Sequence, residues 1–278
     1  MTPKLAIIAG RDDLPRLIAE DRRRSGAPYL VVSFEADTQP WMAEHPHEEH
    51  QFEKPGRLFR ALDAAGVADV VFAGRMARPR LRPWLFDAGA LKIVGHVTKL
   101  LRQGDDGLLS GLGAIFEAEG FRMISAQECL TSLDTGAGVP TQAKPSDGAR
   151  ADAARASAIL NALGALDIGQ AAVVAEGQCL GIETIGGTDR LLATVAALPL
   201  ELRGPTPSGV LVKLPKPAQD RRVDLPTIGL RTVEEAARAD LSGVVVQAGG
   251  VILLDREAMI AAADRAGVFL WIVEEGAL

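Results

Sequence analysis

Apolar and polar positions follow two different rhythms along this chain. Residues 4–9, Lys-Leu-Ala-Ile-Ile-Ala, predict a buried strand that stops at Gly10. Positions 13–24 carry Leu14, Leu17 and Ile18 at helical spacing and end in Arg22, Arg23 and Arg24. A second buried strand is expected over 29–34, a helix over 55–65 closed by Gly66, and a third strand over 69–73. A longer helix over 84–101 and a strand over 121–126 complete this half. Strands alternating with helices in this way predict βαβ units on a parallel sheet.

Residues 131–150 are rich in turn formers and lack a sustained period, so they read as a linker or domain crossing. An Ala-rich helix over 150–163 follows, stopped by Gly164. The second rhythm begins with strands over 171–175 and 179–184, joined by Glu176-Gly177-Gln178 as a hairpin. A helix over 189–197, a strand over 209–214 and a helix over 233–239 come next. A second hairpin is expected from 243–247 and 251–254 around Ala248-Gly249-Gly250, then a helix over 256–266 and a strand over 268–273. The reading is therefore an α/β domain over 1–130, a crossing over 131–150, and a distinct α+β domain over 151–278.

Composition narrows the function classes. Of 278 residues, 47% are apolar and 24% charged, which excludes a disordered or collagen-like chain. Aromatics at 4% leave few platforms for stacking single-stranded bases, and a net charge of -6 argues against a nucleic-acid partner. Any polyanion site must then be a local basic pocket. Cys129 and Cys179 make no CxxC and no disulfide framework. The apolar run after Lys4 is too short for a signal peptide, and no uninterrupted apolar stretch suffices for a membrane span. A cytoplasmic protein is expected, resting at most on a membrane surface.

In the first half the chemistry gathers at strand ends. Gly10 and Arg11 follow the first strand, where helix N-terminal amides of doubly wound folds meet ligands. A GxGxxG fingerprint is missing, which disfavours NAD or FAD. Gly74 and Arg75 follow the third strand, and Arg78, Arg80 and Arg82 crowd after them, interleaved with Pro79 and Pro83. These arginines read as an anion site for phosphate or acidic lipid headgroups. His45, His47 and His50 offer metal-ligand types but no helical pair, and read as an exposed loop. Gly104-Asp105-Asp106-Gly107 reads as a turn after a helix.

The second half is denser. Gln170 precedes the first hairpin, Glu183 ends its second strand, and Gly186-Gly187-Thr188-Asp189 opens a helix that Thr188 is placed to cap. Lys213 ends a strand, and residues 215–226 then combine three prolines with Lys216, Gln219, Asp220, Arg221, Arg222 and Asp224. Cations neutralise a transferring phosphoryl group, while carboxylates hold a divalent cation or orient water. A merely solvated loop would carry more Ser and Gly and less Pro.

Gly186-Gly187-Thr188-Asp189, Lys213, Lys216-Pro217, Gln219-Asp220 and the run from Arg222 to Gly229 resemble the signature of the LpxI-type UDP-2,3-diacylglucosamine pyrophosphatases. Asp167 to Gln170, Gly104-Asp105-Asp106 and Ala73-Gly74-Arg75 fall in the same order, so the resemblance covers nearly the whole chain. Two positions depart from it, Arg11 in place of a glycine-rich turn and Arg75 where lysine is common. The resemblance implies a Rossmann-like N-terminal domain and a distinct C-terminal domain. It also implies Mg²⁺-dependent hydrolysis of UDP-2,3-diacylglucosamine to UMP and 2,3-diacylglucosamine 1-phosphate, a step of lipid A synthesis.

On that resemblance Asp224, Asp189 and Lys213 are assigned to catalysis, and Asp224, Asp220 and Glu183 to the metal. Gly10, Arg11, Gly74, Arg75, Arg78, Gln170, Thr188, Gln219 and Arg222 are assigned to substrate. The partner is a lipid-linked nucleotide sugar, with peripheral contact at the cytoplasmic face of the inner membrane through Arg78, Arg80, Arg82, Leu81 and Trp84. A homodimer is allowed. The competing class is a non-catalytic nucleotide-sugar sensor with the same pocket.

Overall fold

Runs of Val, Ile, Leu and Ala become strands here where helices cover both faces of a sheet. The computed structural model describes residues 2–35, 37–76, 82–100, 105–130, 136–204, 207–217 and 219–278. The chain divides into two units, Met1–Thr131 with Asp220–Asp224, and Ser132–Gln219 with Leu225–Leu278.

The first unit holds strands β1 (Lys4–Ala9), β2 (Tyr29–Phe34), β3 (His47–His50), β4 (Val67–Ala73) and β5 (Arg122–Met123). They pair in parallel in the order β3-β2-β1-β4-β5, a Rossmann-like sheet. Helices α1 (Leu14–Ser25), α2 (Pro55–Ala64), α3 (Ala88–Leu100), α4 (Asp105–Ala118) and α5 (Ala126–Cys129) connect and follow them. Ala6, Ile8, Leu30, Val32 and Phe72 bury one sheet face against Leu58, Leu62, Phe116 and Phe121. The crevice between β1 and β4, where the strand order reverses, is where such sheets bind ligands.

Two expectations in this unit are corrected. Residues 105–107 are not a turn: Asp105 opens α4, whose Leu108, Ile115 and Phe116 are buried at helical spacing. Nor is the histidine patch an exposed loop. It supplies the edge strand β3, with His50 buried and His47 Nε2 2.8 Å from Ser33 Oγ. His45 Nδ1 lies 2.6 Å from the Tyr29 hydroxyl. Burial pushes both the His45 and His47 imidazoles below their usual pKa.

The second unit opens with α6 (Asp147–Gly164), capped by Ser146 Oγ, which accepts from the Ala149 N–H at 3.1 Å. Its buried stripe Ala149, Ala153, Ala156 and Leu160 keeps the helical spacing and covers a mixed sheet. That sheet comprises β6 (Ala171–Ala175), β7 (Gln178–Ile182), β8 (Val210–Lys213), β10 (Gly243–Gln247) and β12 (Phe269–Val273), in the order β12-β10-β8-β6-β7. Three of these strands, β8, β10 and β12, run parallel, while β6 is antiparallel to β8 and β7. Helices α7 (Gly187–Ala196), α9 (Leu230–Arg238) and α10 (Arg256–Ala266) contribute Leu192, Val233, Ala236 and Met259 to the core on the opposite face. The short helix α8 (Leu200–Arg203) follows α7.

Of the two expected hairpins, the first forms and the second does not. Ile252–Leu253 (β11) pairs in parallel with Thr227–Ile228 (β9) instead of returning along β10. The reason lies in β10 itself, buried at every residue and paired on both edges by β8 and β12, which leaves no edge for a returning strand.

The hairpin that does form has a specific anchor. Asp152, 6% exposed in mid-helix, accepts from the N–H groups of Glu176 at 3.0 Å and Gly177 at 2.7 Å. Both turn residues have positive φ, as a two-residue hairpin turn requires. Asp152→Ala strands two donors and is expected to lower unfolding free energy by about 2–4 kcal/mol. Urea denaturation checks this, and a loss below about 0.5 kcal/mol would remove the anchor from the account.

Candidate functional site

The last residue of β8 is Lys213, only 7% exposed, so its ammonium needs partners inside the protein. Lys213 Nζ donates to Thr188 Oγ1 at 2.8 Å and to the Thr227 carbonyl at 3.1 Å, and stands 3.9 Å from Glu183 Oε1. Thr188 in turn donates to Glu183 Oε1 at 2.7 Å, and Glu183 Oε2 accepts from the Gln170 N–H at 3.0 Å. Thr188 and Glu183 are as buried as the lysine. A buried cation, hydroxyl and carboxylate therefore share one network that joins the end of β8 to the loops before β6, after β7 and at β9.

Glycine makes this junction fit. Gly169 has φ +61, and a Cβ there would approach the Glu183 carbonyl oxygen to 2.1 Å. The chain at 167–170 can lie against the end of β7 only without that atom. The expected capping role of Thr188 does not hold. The α7 helix begins at Gly187 with Gly186 before it, so Thr188 sits within the first turn and turns its hydroxyl to Glu183. Asp189, next in the same turn, is half exposed and pairs with Arg231 at 3.2 Å.

A second layer ties down the proline-rich loop. Gln219 Oε1 accepts from Gln170 Nε2 at 2.8 Å and from the Lys216 N–H at 3.1 Å. The Lys216 ammonium pairs with Asp167. Gln170 and Gln219, expected on substrate, thus bond one another and, with the Lys216 contacts, tie Lys216 and Gln219 to residues 167–170. The Lys216–Asp167 pair was not among the expected contacts. Pairing across so long a separation leaves no local pattern, although both residues lie in the motifs noted above.

Residues 220–224 count with the first unit because Val223, 4% exposed, enters its core beside Phe116 and Met123. Arg222 donates through Nε and Nη2 to both oxygens of Asp220, at 3.0 and 2.8 Å, and through Nη1 to Glu117 at 2.7 Å. Those guanidinium hydrogen bonds hold the Asp220 carboxyl below the usual carboxylate range. The Asp224 N–H donates to the Asp220 carbonyl at 3.2 Å, which places the half-buried Asp224 on the same turn.

In the first unit, Gly10 and Gly74 end β1 and β4 and bring two loops together at the crevice. Gly74 has φ +79, and a Cβ there would come within 2.0 Å of the Arg11 carbonyl oxygen. The Arg11 N–H donates to the Arg75 carbonyl at 2.8 Å, and the Arg75 N–H to Asp12 at 3.2 Å. Arg11 Nε donates to the buried Asp37 at 2.9 Å, while Arg75 is exposed. Arg78, Arg80 and Leu81 lie outside the described residues. Arg82, expected at headgroups, is already paired. Its guanidinium is held by the buried Glu53 at 2.8 Å and by Glu35 at 3.0 Å, and the Glu53 carboxyl falls below its usual range as a result. Trp84 is 79% exposed.

Donor chemistry tests the magnesium expectation. Magnesium takes oxygen ligands, commonly one or two carboxylates completed by water and substrate phosphate. Glu183 does not fit, since Thr188 and Gln170 occupy its oxygens and the neighbouring ammonium repels a cation. Asp220 is likewise taken up by Arg222. Asp224 has the right donor atoms for an ion shared with a pyrophosphate. Among the described residues, no group of three or more His, Cys, Asp or Glu is gathered for a metal.

Comparison with known proteins places this geometry in a family. Residues 4–133 match the model of the LpxI N-terminal domain, and residues 136–271 that of the LpxI C-terminal domain. The UDP-2,3-diacylglucosamine pyrophosphatase LpxI of Caulobacter vibrioides is 39% identical over 269 residues, 96% of each chain. The crystal structure of isoflavone reductase aligns over 99% of this chain and 79% of its own at 14% identity, with a TM-score of 0.28, too low to equate the folds. Two domain models in order and a full-length relative at this identity leave one assignment: the chain belongs to the LpxI family.

Proposed function

We propose that this protein hydrolyses the pyrophosphate of UDP-2,3-diacylglucosamine, with Mg²⁺, to UMP and 2,3-diacylglucosamine 1-phosphate. The observation that carries the proposal is the 39% identity, over 96% of both chains, to a protein named for that pyrophosphatase activity. The buried Lys213 network and the Asp220–Asp224 turn support it, because they set cations and carboxylates in the same stretch of chain.

A pyrophosphate resists water because its oxygens already carry negative charge. Magnesium, when bound, neutralises that charge and acidifies a coordinated water. Asp224 is assigned, on its place in the motif, to hold the ion and to orient the attacking water. Arg222 is half exposed and held by Asp220 and Glu117, so its guanidinium is positioned in advance, and a phosphate oxygen competes with those carboxylates for it. Lys213 acts from inside, where a cation at a strand's carboxyl end biases the local potential toward anions. Arg75 and Arg11 add positive charge at the β1–β4 crevice.

The acyl chains make a membrane the source of substrate. Among the described residues no helix is long and apolar enough to cross a membrane. Peripheral contact at the cytoplasmic face of the inner membrane is part of the proposal, with the exposed Trp84 as the first unit's offering to a headgroup layer.

Product identity tests the reading. Chromatography after incubation with UDP-2,3-diacylglucosamine and Mg²⁺ is expected to yield UMP and a phosphorylated lipid sugar in equal amounts. UDP and an unphosphorylated sugar would mean that the glycosidic bond is cut instead.

A further inference from the structure

Gln247 ends β10, the middle strand of the parallel trio β8, β10 and β12, whose carboxyl ends form one edge of the sheet. Ligands bind outside that edge in parallel sheets. The rest of β10 is Gly243 and three valines, so a glutamine at its end brings a polar amide to an otherwise apolar strand. The residue is only 9% exposed, and its Nε2 is buried with no hydrogen-bond partner among the described residues. Natural proteins seldom leave such a donor unpaired unless the site serves a ligand or a water.

The packing around this amide is close. A Cβ on Gly250 would lie 2.9 Å from Gln247 Nε2 and 3.0 Å from Cγ of Pro215, closer than a side chain allows, so glycine is what lets this turn pack against the amide and the start of the 215 loop. Pro215 begins the loop that leaves Lys213. In the sheet, Val246 pairs with Lys213, which puts Gln247 one residue further along the same edge.

We infer that the Gln247 side-chain amide is a further ligand-binding group, donating through Nε2 to an oxygen of the nucleoside diphosphate part of the substrate. The ligand class rests on the pyrophosphatase reading, whereas the unpaired donor does not. A neutral amide adds direction without adding charge, and so fixes the register of an anion whose charge other groups balance.

The test uses the full-length protein and UDP as the probe. Gln247→Leu removes the donor and relieves the free protein of an unpaired buried amide, so Tm is expected to hold or rise. UDP affinity by calorimetry should fall about tenfold, with a matching rise in KM for the lipid substrate. Gln247→Glu keeps the shape but offers acceptors, and should weaken UDP binding at least as much. It also serves where leucine prevents folding. UDP affinity within about twofold of wild type in both variants overturns the inference, as does a wild-type protein that binds no UDP. A wild type that binds UDP but releases no UMP sinks the hydrolase reading and leaves the Gln247 comparison intact.

Discussion

Lys213→Met is expected to cost the second unit about 3–5 kcal/mol of stability and to remove most UMP-forming activity. The stability loss follows from what remains behind. Glu183 keeps its hydrogen bonds to Thr188 and Gln170 but loses the nearest cation in its network, and a buried carboxylate without one is strongly disfavoured. A second substitution separates folding from function. Lys213→Met combined with Glu183→Gln removes both charges, while the amide oxygen can accept from the Gln170 N–H and its NH2 can donate to Thr188 Oγ1, which Lys213 no longer occupies. Exchange of a buried ion pair for neutral groups is often close to neutral in stability. The double variant should therefore recover most of the lost stability in chemical denaturation. Activity should stay low, because the positive potential at the end of β8 is gone. Recovery of both together would make Lys213 a purely structural residue.

Asp224→Ala should lower kcat by a factor on the order of 10²–10⁴ while UDP-2,3-diacylglucosamine still binds. Removing the carboxylate that holds the ion and directs water affects the reacting centre more than the ground-state complex. Asp220 provides the contrast. Its carboxylate is committed to Arg222, so Asp220→Ala acts through the freed guanidinium and should show mainly in KM. Near-normal turnover in Asp224→Ala would remove that residue from the mechanism.

Much of the scaffold is legible from the chain alone, and the reason is burial. Strands such as Tyr29–Phe34 and Ala171–Ala175 are covered on both faces, so their side chains are apolar apart from Ser33 and stand out from the turns around them. The polar edge strand β3, His-Glu-Glu-His, has no such run and reads as a loop. Strands β9 and β11, of two residues each, are too short for any period to show. The second expected hairpin failed for a different reason. Ala248-Gly249-Gly250 is good turn chemistry, but only the sheet order reveals that β10 has no free edge.

At the site, the chain announces chemistry better than roles. The concentration of Lys, Gln, Asp and Arg between prolines marks the 213–226 stretch as functional in character. Which groups face a ligand depends on contacts between distant residues. Glu183 reads as a metal ligand until Thr188, Gln170 and Lys213 are seen around it. Gln170 and Gln219 read as substrate contacts, and only the folded chain shows that they also bond each other. Val223 is an apolar residue in a polar loop, the single local sign that residues 220–224 are anchored in another core. Gln247 gives a comparable sign, a polar residue closing an apolar strand just before two glycines, and its unpaired amide becomes visible only in the folded chain.

The central claim is pyrophosphate hydrolysis, as opposed to nucleotide-sugar binding without turnover. UMP release by the purified full-length protein from UDP-2,3-diacylglucosamine tests it most directly, measured with Mg²⁺ and again with excess chelator. The account predicts repeated turnover with the metal and its loss on chelation. Stable binding of the nucleotide sugar with no UMP under either condition would contradict it.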